Sequence, residues 1–381
     1  MKLVLFINKI LIRVILLELI NLKKKRVLLG MSGGVDSSVA AALLLEKGYE
    51  VVGVTLKLRP DKYMVNNSQG GCCSLDDIDD ARRVAYKLGI DHIVMNFTDI
   101  FSEKVIDYFV KEYNCGRTPN PCIACNQEIK FNAMLNKAST LGFDFIATGH
   151  YANICFDSKI NRWLLKKADC KKDQSYVLYG MTQYQLAHTL FPVAGYEKER
   201  IREIAKKYDL PVANKPDSQE ICFVNDNDHA GFIERYTGKK PLKGNFVDDD
   251  NNILGTHKGI INYTIGQRKG LGISLGKHMY VTKINAENNT VTLGEEGKQY
   301  VKATIANKLN FIPFDKLEST IHVEAKIRYQ AKPSACLVSP IDNDCVKIQF
   351  DEPQRSVTPG QAIVFYDGDI VVGGGTIIKS L

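Results

Sequence analysis

A glycine-rich turn near the start of this chain lies between an apolar run and an alanine-rich stretch. Residues 27–31 read Val-Leu-Leu-Gly-Met, residues 32–38 read Ser-Gly-Gly-Val-Asp-Ser-Ser, and residues 39–45 are rich in Ala and Leu. Gly33 and Gly34 allow a tight turn and a close approach of the backbone to a ligand. The N–H groups of the following helix would face that ligand with the positive end of the helix dipole. This order of elements predicts a phosphate-binding site.

The turn differs from the two common nucleotide-binding loops. It lacks the G-x-x-x-x-G-K-[ST] pattern, whose lysine reaches the β- and γ-phosphates, and it lacks the G-x-G-x-x-G dinucleotide pattern. It is similar instead to the pyrophosphate loop of ATP-pyrophosphatases, which activate an oxygen as its adenylate and release pyrophosphate. A turn that serves only chain geometry is the alternative. Asp36 is a candidate for organising Mg²⁺ or pyrophosphate, or for capping the helix.

Strand-like and helix-like segments alternate through the first half of the chain. After the first strand, strands are expected at residues 49–58, 90–96 and 143–148, and helices at 39–46, 76–88, 100–112 and 128–141. This alternation predicts an α/β fold with a doubly wound parallel sheet of the adenine-nucleotide α-hydrolase type. Nucleotides in such sheets bind at the carboxyl ends of the strands, where residues 32–38 lie.

The second half of the chain has a β-rich pattern. Residues 238–276 are rich in Gly, Asn, Asp and Lys with short β-like pieces such as 259–265, and from about residue 302 short β-branched runs alternate with Pro, Gly and Asp. The last pattern is typical of a small antiparallel β-barrel. We therefore expect an extension outside the fold (1–22), an ATP-binding catalytic domain (23–215), a central β-rich domain (216–301) and a C-terminal β-barrel domain (302–381).

Composition narrows the class of protein. The formal charge of +7 over 381 residues leaves room for a polyanionic partner, although a mild excess of Lys and Arg is also usual on a solvated surface. The apolar residues of 1–22 are interrupted by Asn8, Lys9, Arg13 and Glu18, so no confident membrane span is expected. Ten cysteines without a secretory signal do not indicate a disulfide scaffold. We expect a cytoplasmic protein with no membrane partner.

Two cysteines have contexts that are not typical of a protein core. Residues 116–126 read Gly-Arg-Thr-Pro-Asn-Pro-Cys-Ile-Ala-Cys-Asn, so two prolines precede Cys125, which is expected at or near a helix start. A helix start favours the nucleophilic thiolate. Cys222 lies among polar residues in Asp-Ser-Gln-Glu-Ile-Cys-Phe, residues 217–223. Either thiol alone is more often inert, but the pair together with a pyrophosphate loop indicates reactive cysteines.

Together these motifs resemble those of the tRNA-specific 2-thiouridylases, which replace the C2 oxygen of the wobble uridine with sulfur. The similarity runs from about residue 26 to the C-terminus. Its motifs lie at residues 30–38, 118–121 (Thr-Pro-Asn-Pro), 125–126 (Cys-Asn), 147–151 (Ala-Thr-Gly-His-Tyr), 172–176 (Lys-Asp-Gln-Ser-Tyr), 217–218 (Asp-Ser), 221–223 (Ile-Cys-Phe), 263–268 (Tyr-Thr-Ile-Gly-Gln-Arg) and 359–361 (Pro-Gly-Gln). The resemblance implies that ATP with Mg²⁺ adenylates the C2 oxygen and that persulfide sulfur then replaces it.

The resemblance also implies roles for single residues. Cys222 would carry the persulfide, and Cys125 would be the nucleophile that completes sulfur release, with a disulfide between them as a by-product. The implied ATP-binding residues are Gly30, Met31, Ser32, Gly33, Gly34, Val35, Asp36, Ser37, Leu56 and Gly149. The implied tRNA-binding residues are Asn120, Pro121, Cys122, His150, Lys172, Asp173, Gln174, Arg328, Tyr329 and Gln361. The implied partners are tRNAs for lysine, glutamate and glutamine and a persulfide donor, such as a cysteine desulfurase or a sulfur-relay protein.

Three of these assignments have alternatives. His150 could be a structural histidine, and Tyr329 could stack on a base or fill the barrel core. Position 122 is often Asp in this family and is Cys here. Cys122, Cys125 and Cys222 could therefore ligate an iron–sulfur cluster with one open iron.

Two other classes of protein share part of the pattern. An ATP-dependent amide-forming synthetase has the same type of loop, but it needs an ammonia or amine site rather than two separated reactive cysteines. A nucleic-acid-binding module without catalysis would explain the barrel and the charge and would leave the loop and both cysteines without a role.

Overall fold

The computed structural model describes residues 24–59, 75–216, 221–224 and 228–381. The expected extension 1–22 and residues 217 and 218 of the second cysteine motif lie outside the described residues. Within the described segments, no helix is both long enough and apolar enough to cross a membrane.

A five-stranded parallel sheet forms the first part of the molecule, with the strand order β3-β2-β1-β4-β7. Its strands are β1 (Arg26–Gly30), β2 (Glu50–Lys57), β3 (Asp91–Asn96), β4 (Phe145–Ala147) and β7 (Thr189–Leu190). The prediction of a parallel α/β sheet is confirmed. Strand β7 was not predicted, because a two-residue strand carries no hydrophobic pattern of its own.

Seven helices are described, and two of them contain a π-helical segment. They are α1 (Val35–Glu46), α2 (Leu75–Leu88), α3 (Thr98–Phe101, π-helical Ser102–Ile106, Asp107–Asn114), α4 (Pro121–Cys125, π-helical Asn126–Ala133, Met134–Thr140), α5 (Gln183–Ala187), α6 (Lys198–Lys207) and α7 (His229–Thr237). The expected helix 128–141 exists but begins earlier, at Pro121. Cys125, which was predicted at or near a helix start, is the fifth residue of α4 and lies one turn inside it.

Both faces of the parallel sheet are covered, as a doubly wound fold requires. Val27 and Leu29 of β1 pack in a cluster with side chains of α1, α2 and α6. Leu28, which points to the opposite face, packs with Phe131 and Met134 of α4. All three β1 side chains are fully buried, and burial of each aliphatic side chain stabilises the fold by about 1.5–3 kcal/mol. The sheet thus holds the glycine turn after β1 on a rigid base.

The central part of the chain contains a four-stranded sheet with the order β10-β11-β8-β9. Its strands are β8 (Gly244–Val247), β9 (Ile253–His257), β10 (Met279–Asn285) and β11 (Thr290–Glu295). The expected β-like piece 259–265 is wrong, since Ile260–Asn262 forms a 3₁₀ helix. The apolar side chains of this sheet belong to the same cluster as those of α3 and the residue Cys125. The central sheet therefore packs against the part of the α/β region that carries this cysteine.

The C-terminal strands form a closed antiparallel barrel, and that prediction is confirmed. Its six strands follow the order β12-β15-β14-β13-β16-β17, and β12 pairs with β17 to close it. They are β12 (Tyr300–Phe311), β13 (Ile321–Lys326), β14 (Ser334–Pro340), β15 (Val346–Arg355), β16 (Ala362–Asp367) and β17 (Ile370–Ser380).

A hairpin that follows β4 in the chain extends the barrel sheet. Strands β5 (Asn153–Asp157) and β6 (Arg162–Lys166) pair with each other, and β6 pairs with β17 through Lys166 and Ile370. The Arg162 guanidinium also contacts the Asp315 carboxylate at 2.6 Å. This hairpin was not predicted, and it joins two parts of the chain that the sequence treats as separate domains.

Candidate nucleotide and cysteine site

Helix α1 begins without a side-chain cap. Gly34 is its N-cap residue, and no side chain makes a cap hydrogen bond there. The hydroxyls of Ser37 and Ser38 donate instead to the carbonyl oxygen of Gly34, at 3.1 and 2.8 Å. The N–H groups at this helix start are left without a side-chain cap, which is the arrangement that favours an anion.

Two glycines allow the backbone to pack closely around this helix start. A Cβ on Gly33, which has φ +70°, would lie 2.4 Å from the carbonyl oxygen of Asp77 in α2. A Cβ on Gly149, after β4, would lie 2.7 Å from the backbone nitrogen of Ser37. Any larger residue at either position would displace the loop or the helix start.

A pocket lies beside this helix start at the carboxyl ends of β1, β2 and β4. Of the ten predicted ATP-binding residues, seven line it: Gly30, Met31, Ser32, Asp36, Ser37, Leu56 and Gly149. Gly33, Gly34 and Val35 do not line it; Gly33 and Gly34 shape the turn, and Val35 is buried in the cluster beneath it. His150 and Gln174, which were predicted to contact tRNA, line the same pocket.

Asp36 is held by cationic and hydroxyl partners. Its Oδ1 accepts hydrogen bonds from the Tyr151 hydroxyl at 2.5 Å and from Lys198 Nζ at 2.6 Å. Lys172 Nζ lies 3.8 Å from its Oδ2. The capping alternative does not fit, because Gly34 is the N-cap residue and no side chain caps the helix. Asp36 instead gathers two ammonium groups beside the loop that lacks a lysine of its own.

Sequence reasoning missed Lys198 and Tyr151, and it also missed Lys130, which lines the pocket. Lys198 is 162 residues from Asp36 in the chain, and no local pattern links the two. Lys130 had a weak signal, since it follows the Cys125–Asn126 motif on the same helix.

His150 is a neutral member of the pocket wall. Its Nε2 lies 3.5 Å from Lys130 Nζ, and its Nδ1 lies 2.7 Å from the Thr148 hydroxyl. Burial, and to a smaller extent the charge of Lys130, lowers the pKa of His150 well below its usual value of 6.5. An ammonium only donates, so Nε2 accepts from Lys130 and Nδ1 carries the proton. The predicted contact of His150 with tRNA stays a prediction.

The start of α4 is capped by its own sequence. Asn120 is the N-cap residue, its Oδ1 accepts a hydrogen bond from the N–H of Ile123 at 3.3 Å, and Pro121 follows at the first helical position. Cys122 is exposed beside this cap, whereas Cys125, one turn later, is buried. The asparagine and proline were predicted to contact the target base, and in the structure they also set the position of the helix.

The two predicted reactive cysteines share one packing cluster. Cys125 belongs to it together with Leu58, Ile129 and Phe223, and the partly buried Cys222 packs against it. Leu58 also lines the pocket beside α1. The cysteine cluster and the pocket are therefore contiguous, with Leu58 as a shared wall.

The described side chains do not form a protein ligand set for an iron–sulfur cluster. No group of three or more His, Cys, Asp or Glu side chains in the described segments is arranged to hold a metal ion. Cys122, Cys125 and Cys222 are all described, and they do not form such a group. No reaction step is therefore assigned to such a cluster.

The remaining residues predicted to bind tRNA lie at the junction with the barrel. Asp173 accepts hydrogen bonds from the N–H groups of Ala168 and Ser175 and from the Ser175 hydroxyl, so its carboxylate shapes this turn. The Tyr329 hydroxyl donates to the carbonyl oxygen of Asp173 at 3.1 Å. Arg328 is exposed, at the same end of the barrel.

Tyr329 does not fill the barrel core. Its side chain is 38% exposed, and it does not belong to the cluster inside the barrel. Lys326 Nζ lies 5.6 Å from its ring centroid. A partly exposed aromatic ring can stack on an RNA base, and the ammonium group beside it can contact a phosphate.

The fold and the site define a class of protein. A parallel α/β sheet carries an uncapped helix start after a Ser-Gly-Gly turn, Cys125 and Cys222 share one packing cluster, and two β-rich units follow. Three family models match the chain: the tRNA methyl transferase HUP domain over residues 25–226, the tRNA methyl transferase PRC-barrel domain over 230–295, and the aminomethyltransferase beta-barrel domain over 301–377.

Curated relatives narrow this class. The tRNA-specific 2-thiouridylase MnmA of Acetivibrio thermocellus is 59% identical over 358 residues, 93% of this chain and 100% of the relative. That of Clostridium acetobutylicum is 58% identical over 354 residues, 93% of this chain and 99% of the relative. Among solved structures, a 4-thiouridine synthetase–RNA complex with bound ATP has a TM-score of 0.33 and 18% identity, covering 56% of this chain and 50% of that one. The chain belongs to the tRNA-specific 2-thiouridylase family.

Proposed function

We propose that this chain is a tRNA-uridine 2-sulfurtransferase, which uses ATP and a persulfide to convert the wobble uridine of tRNA into 2-thiouridine. One observation carries the proposal. Leu58 belongs both to the wall of the nucleotide-type pocket and to the packing cluster that contains Cys125 and contacts Cys222, and this supports a reaction in which an oxygen activated in the pocket is attacked by sulfur carried on these cysteines. The family descriptions mention methyl transfer, but a paired cysteine cluster beside an ATP-type pocket suits sulfur transfer and not the transfer of a methyl group.

The first step is adenylation of the uridine. The C2 oxygen attacks the α-phosphorus of ATP, pyrophosphate leaves, and an O–AMP group now occupies C2. The open start of α1 holds the phosphates through backbone N–H groups. Lys198 and Lys172, which Asp36 gathers beside the loop, offset the charge that develops on the leaving pyrophosphate.

The second step brings sulfur to C2. The terminal sulfur of a persulfide on Cys222 attacks C2, and AMP leaves with the original oxygen. Cys125 then attacks the Sγ atom of Cys222. The bond between this Sγ atom and the sulfur on C2 breaks, and 2-thiouridine is released. A Cys125–Cys222 disulfide remains, and a thiol reductant returns both cysteines to the starting state with two electrons.

Mg²⁺ enters this scheme with ATP. The Asp36 carboxylate accepts hydrogen bonds from Lys198 and Tyr151 on its Oδ1, and it is the residue beside the loop that would help to hold the ion together with the ATP phosphates. Bound Mg²⁺ would neutralise phosphate charge near Asp36. The iron–sulfur alternative of the sequence is not part of the proposal, because the three cysteines do not form a ligand set.

The resemblance to the family implies the partners of the reaction. We expect tRNAs for lysine, glutamate and glutamine as acceptors and a cysteine desulfurase or sulfur-relay protein as the persulfide donor, with the reaction in the cytoplasm. The predicted contacts with tRNA remain Asn120, Pro121, Cys122, His150, Lys172, Asp173, Gln174, Arg328, Tyr329 and Gln361.

In vitro thiolation tests the proposal. Candidate tRNAs are incubated with the protein, ATP, Mg²⁺ and a persulfide source, and the wobble nucleoside is examined by mass spectrometry. We expect 2-thiouridine and tRNA-dependent release of pyrophosphate. Parallel reactions with a methyl donor, and with a small carboxylate plus ammonia in place of tRNA, separate methyl transfer and amide formation. A product in either of these reactions, without 2-thiouridine in the first, contradicts the proposal.

A further inference from the structure

Residues 115–120, here called the approach segment, connect α3 to α4 and are anchored to α3. Arg117 forms two parallel hydrogen bonds with the Glu112 carboxylate, at 2.5 and 2.7 Å. The N–H of Arg117 also donates to the carbonyl oxygen of Glu112 at 2.9 Å. Glu112 is 7% exposed, so the pair is partly desolvated and its planar geometry fixes the direction of the chain.

The barrel anchors the next residues of the approach segment. The N–H of Thr118 donates to the carbonyl oxygen of Pro359 at 2.9 Å. The Gln361 side-chain amide donates to the carbonyl oxygens of Thr118 at 3.1 Å and of Pro119 at 3.5 Å. These contacts join residues that are more than 240 positions apart in the chain.

Two glycines show how closely the three parts of the molecule meet here. A Cβ on Gly360 would lie 2.9 Å from the backbone nitrogen and oxygen of Thr118. A Cβ on Gly116 would lie 2.7 Å from Ile284 Cγ2 in the central sheet. The approach segment therefore has little space to shift towards the barrel or towards the central sheet.

The approach segment ends at Asn120, the cap of α4, and Cys122 and Cys125 follow within that helix. We infer that Gln361 and the Arg117–Glu112 pair are positioning residues, through which the barrel and α3 set where Asn120 and both cysteines meet the uridine. This inference rests on the proposed function, and it gives Gln361 a role other than direct contact with tRNA. A misplacement of about 1 Å at a reacting group can cost roughly 100-fold in rate.

Gln361→Met tests this role, with Gln349→Met as the matched control. Gln349 also donates from its side chain to a backbone oxygen, but that oxygen belongs to Lys302 within the barrel. We expect Gln361→Met to lower kcat for thiolation roughly 10- to 100-fold, while the KM for ATP and the Kd for tRNA stay at their wild-type values. Gln349→Met should leave all three unchanged.

A loss of tRNA affinity in Gln361→Met, with kcat unchanged, would make Gln361 a tRNA contact and overturn the inference.

A double variant tests the other anchor. Glu112→Met/Arg117→Met removes the ion pair without leaving a buried carboxylate unpaired. Arg162→Met is its control, because it removes an ion pair between the hairpin and the barrel outside the approach segment. A fall in kcat in the double variant but not in Arg162→Met supports the inference. An equal fall in kcat in the two proteins would mean that loosening the barrel junction anywhere slows the reaction, and it would overturn the inference.

Hydrogen–deuterium exchange gives a readout that does not depend on thiolation. Peptides that cover residues 115–123 should exchange faster in Gln361→Met and in the double variant than in either control. Unchanged exchange there overturns the inference even if the protein thiolates tRNA. If the variants exchange faster but the wild-type protein makes no 2-thiouridine, the positioning contacts are supported and the proposed function is rejected.

Discussion

Two helix starts in this molecule are built in opposite ways. Helix α1 has Gly34 as its N-cap, without a side-chain hydrogen bond. Helix α4 has Asn120 as its N-cap, with a side-chain hydrogen bond to the N–H of Ile123, and Pro121 at the first position. An open start leaves N–H groups for an anion, whereas a closed start fixes the direction of the helix and of the side chains on it.

The difference assigns separate tasks to the two helices. In the proposed reaction α1 binds the part of ATP that leaves, and α4 holds the groups that receive and release sulfur. The two tasks meet at Leu58, which borders both the pocket and the cysteine cluster. Changes at one helix start should therefore affect one half of the reaction and spare the other.

The largest expected effect separates sulfur chemistry from ATP binding. Cys125→Ser and Cys222→Ser should each abolish formation of 2-thiouridine, since each removes a sulfur atom that the second step needs. ATP affinity should remain at the wild-type value in both. Mass spectrometry of the nucleoside and calorimetric titration with ATP measure the two properties. Near-normal thiolation by either variant would remove that cysteine from the mechanism.

A change at the open start of α1 should weaken ATP binding, which the cysteine variants leave unchanged. Gly149→Ala places a Cβ 2.7 Å from the backbone nitrogen of Ser37, so the helix start must shift and ATP affinity should fall at least about 10-fold. Gly195→Ala is the control, because no atom lies within 4 Å of the added Cβ there. Equal ATP affinities in the two variants would show that the position of this helix start is not critical.

Closing α1 with a side chain tests the comparison directly. Gly34→Ser supplies a hydroxyl cap, and its Cβ has room, with the nearest atom, Ser32 Oγ, at 3.4 Å. The helix should gain a few tenths of a kcal/mol, whereas ATP should bind more weakly because the hydroxyl competes for the same N–H groups. Thermal unfolding and ATP titration measure both. A variant that gains stability and keeps its ATP affinity would contradict the idea of an open start.

Opening α4 is the reciprocal change. Asn120→Ala removes the cap and should destabilise the protein by about 1 kcal/mol. Thiolation should slow as the position of Cys122 and Cys125 relaxes, while ATP affinity stays constant. Asn120→Asp keeps an oxygen that can cap the helix, and its stability should stay close to that of the wild type. Urea unfolding of the wild type, Asn120→Ala and Asn120→Asp measures these stabilities. Equal free energies of unfolding in the wild type and Asn120→Ala would show that the cap does not stabilise α4.

The smallest expected effect is a dependence of stability on pH. Burial is the main cause of the lowered pKa of His150, so the unfolded chain binds a proton near pH 6.5 before the folded protein does. The free energy of unfolding should therefore fall as pH decreases below about 6.5. His92, His229 and His257 also have lowered pKa values through burial.

His150→Asn tests the part of this pH dependence that belongs to one residue. Urea titrations at pH 7.5 and 5.5 should show a smaller loss of stability on acidification in this variant than in the wild type. An identical loss in the two proteins would mean that His150 is protonated equally in the folded and unfolded states.

Local patterns explain most of what the sequence predicted correctly. Strands β1 to β4 are apolar runs beside turn residues, and their positions were predicted within a few residues. The start of α4 was missed although Asn120 and Pro121 form a familiar cap signal. The short strand β7 was missed because a two-residue pairing leaves no pattern. The hairpin β5–β6 is a local pairing that was also missed, whereas its attachment to β17 joins residues that are distant in the chain.

The sequence by itself determined the phosphate-type turn, the two candidate cysteines and the order of an α/β part, a β-rich part and a barrel. These depend on residue type and spacing along a short stretch of chain. Only the tertiary structure brought Lys198 to Asp36, made Leu58 part of both the pocket wall and the cluster that contains Cys125, and set Gln361 of the barrel against Thr118 and Pro119. Contacts between residues more than 100 positions apart depend on how whole elements pack, and no local spacing encodes them.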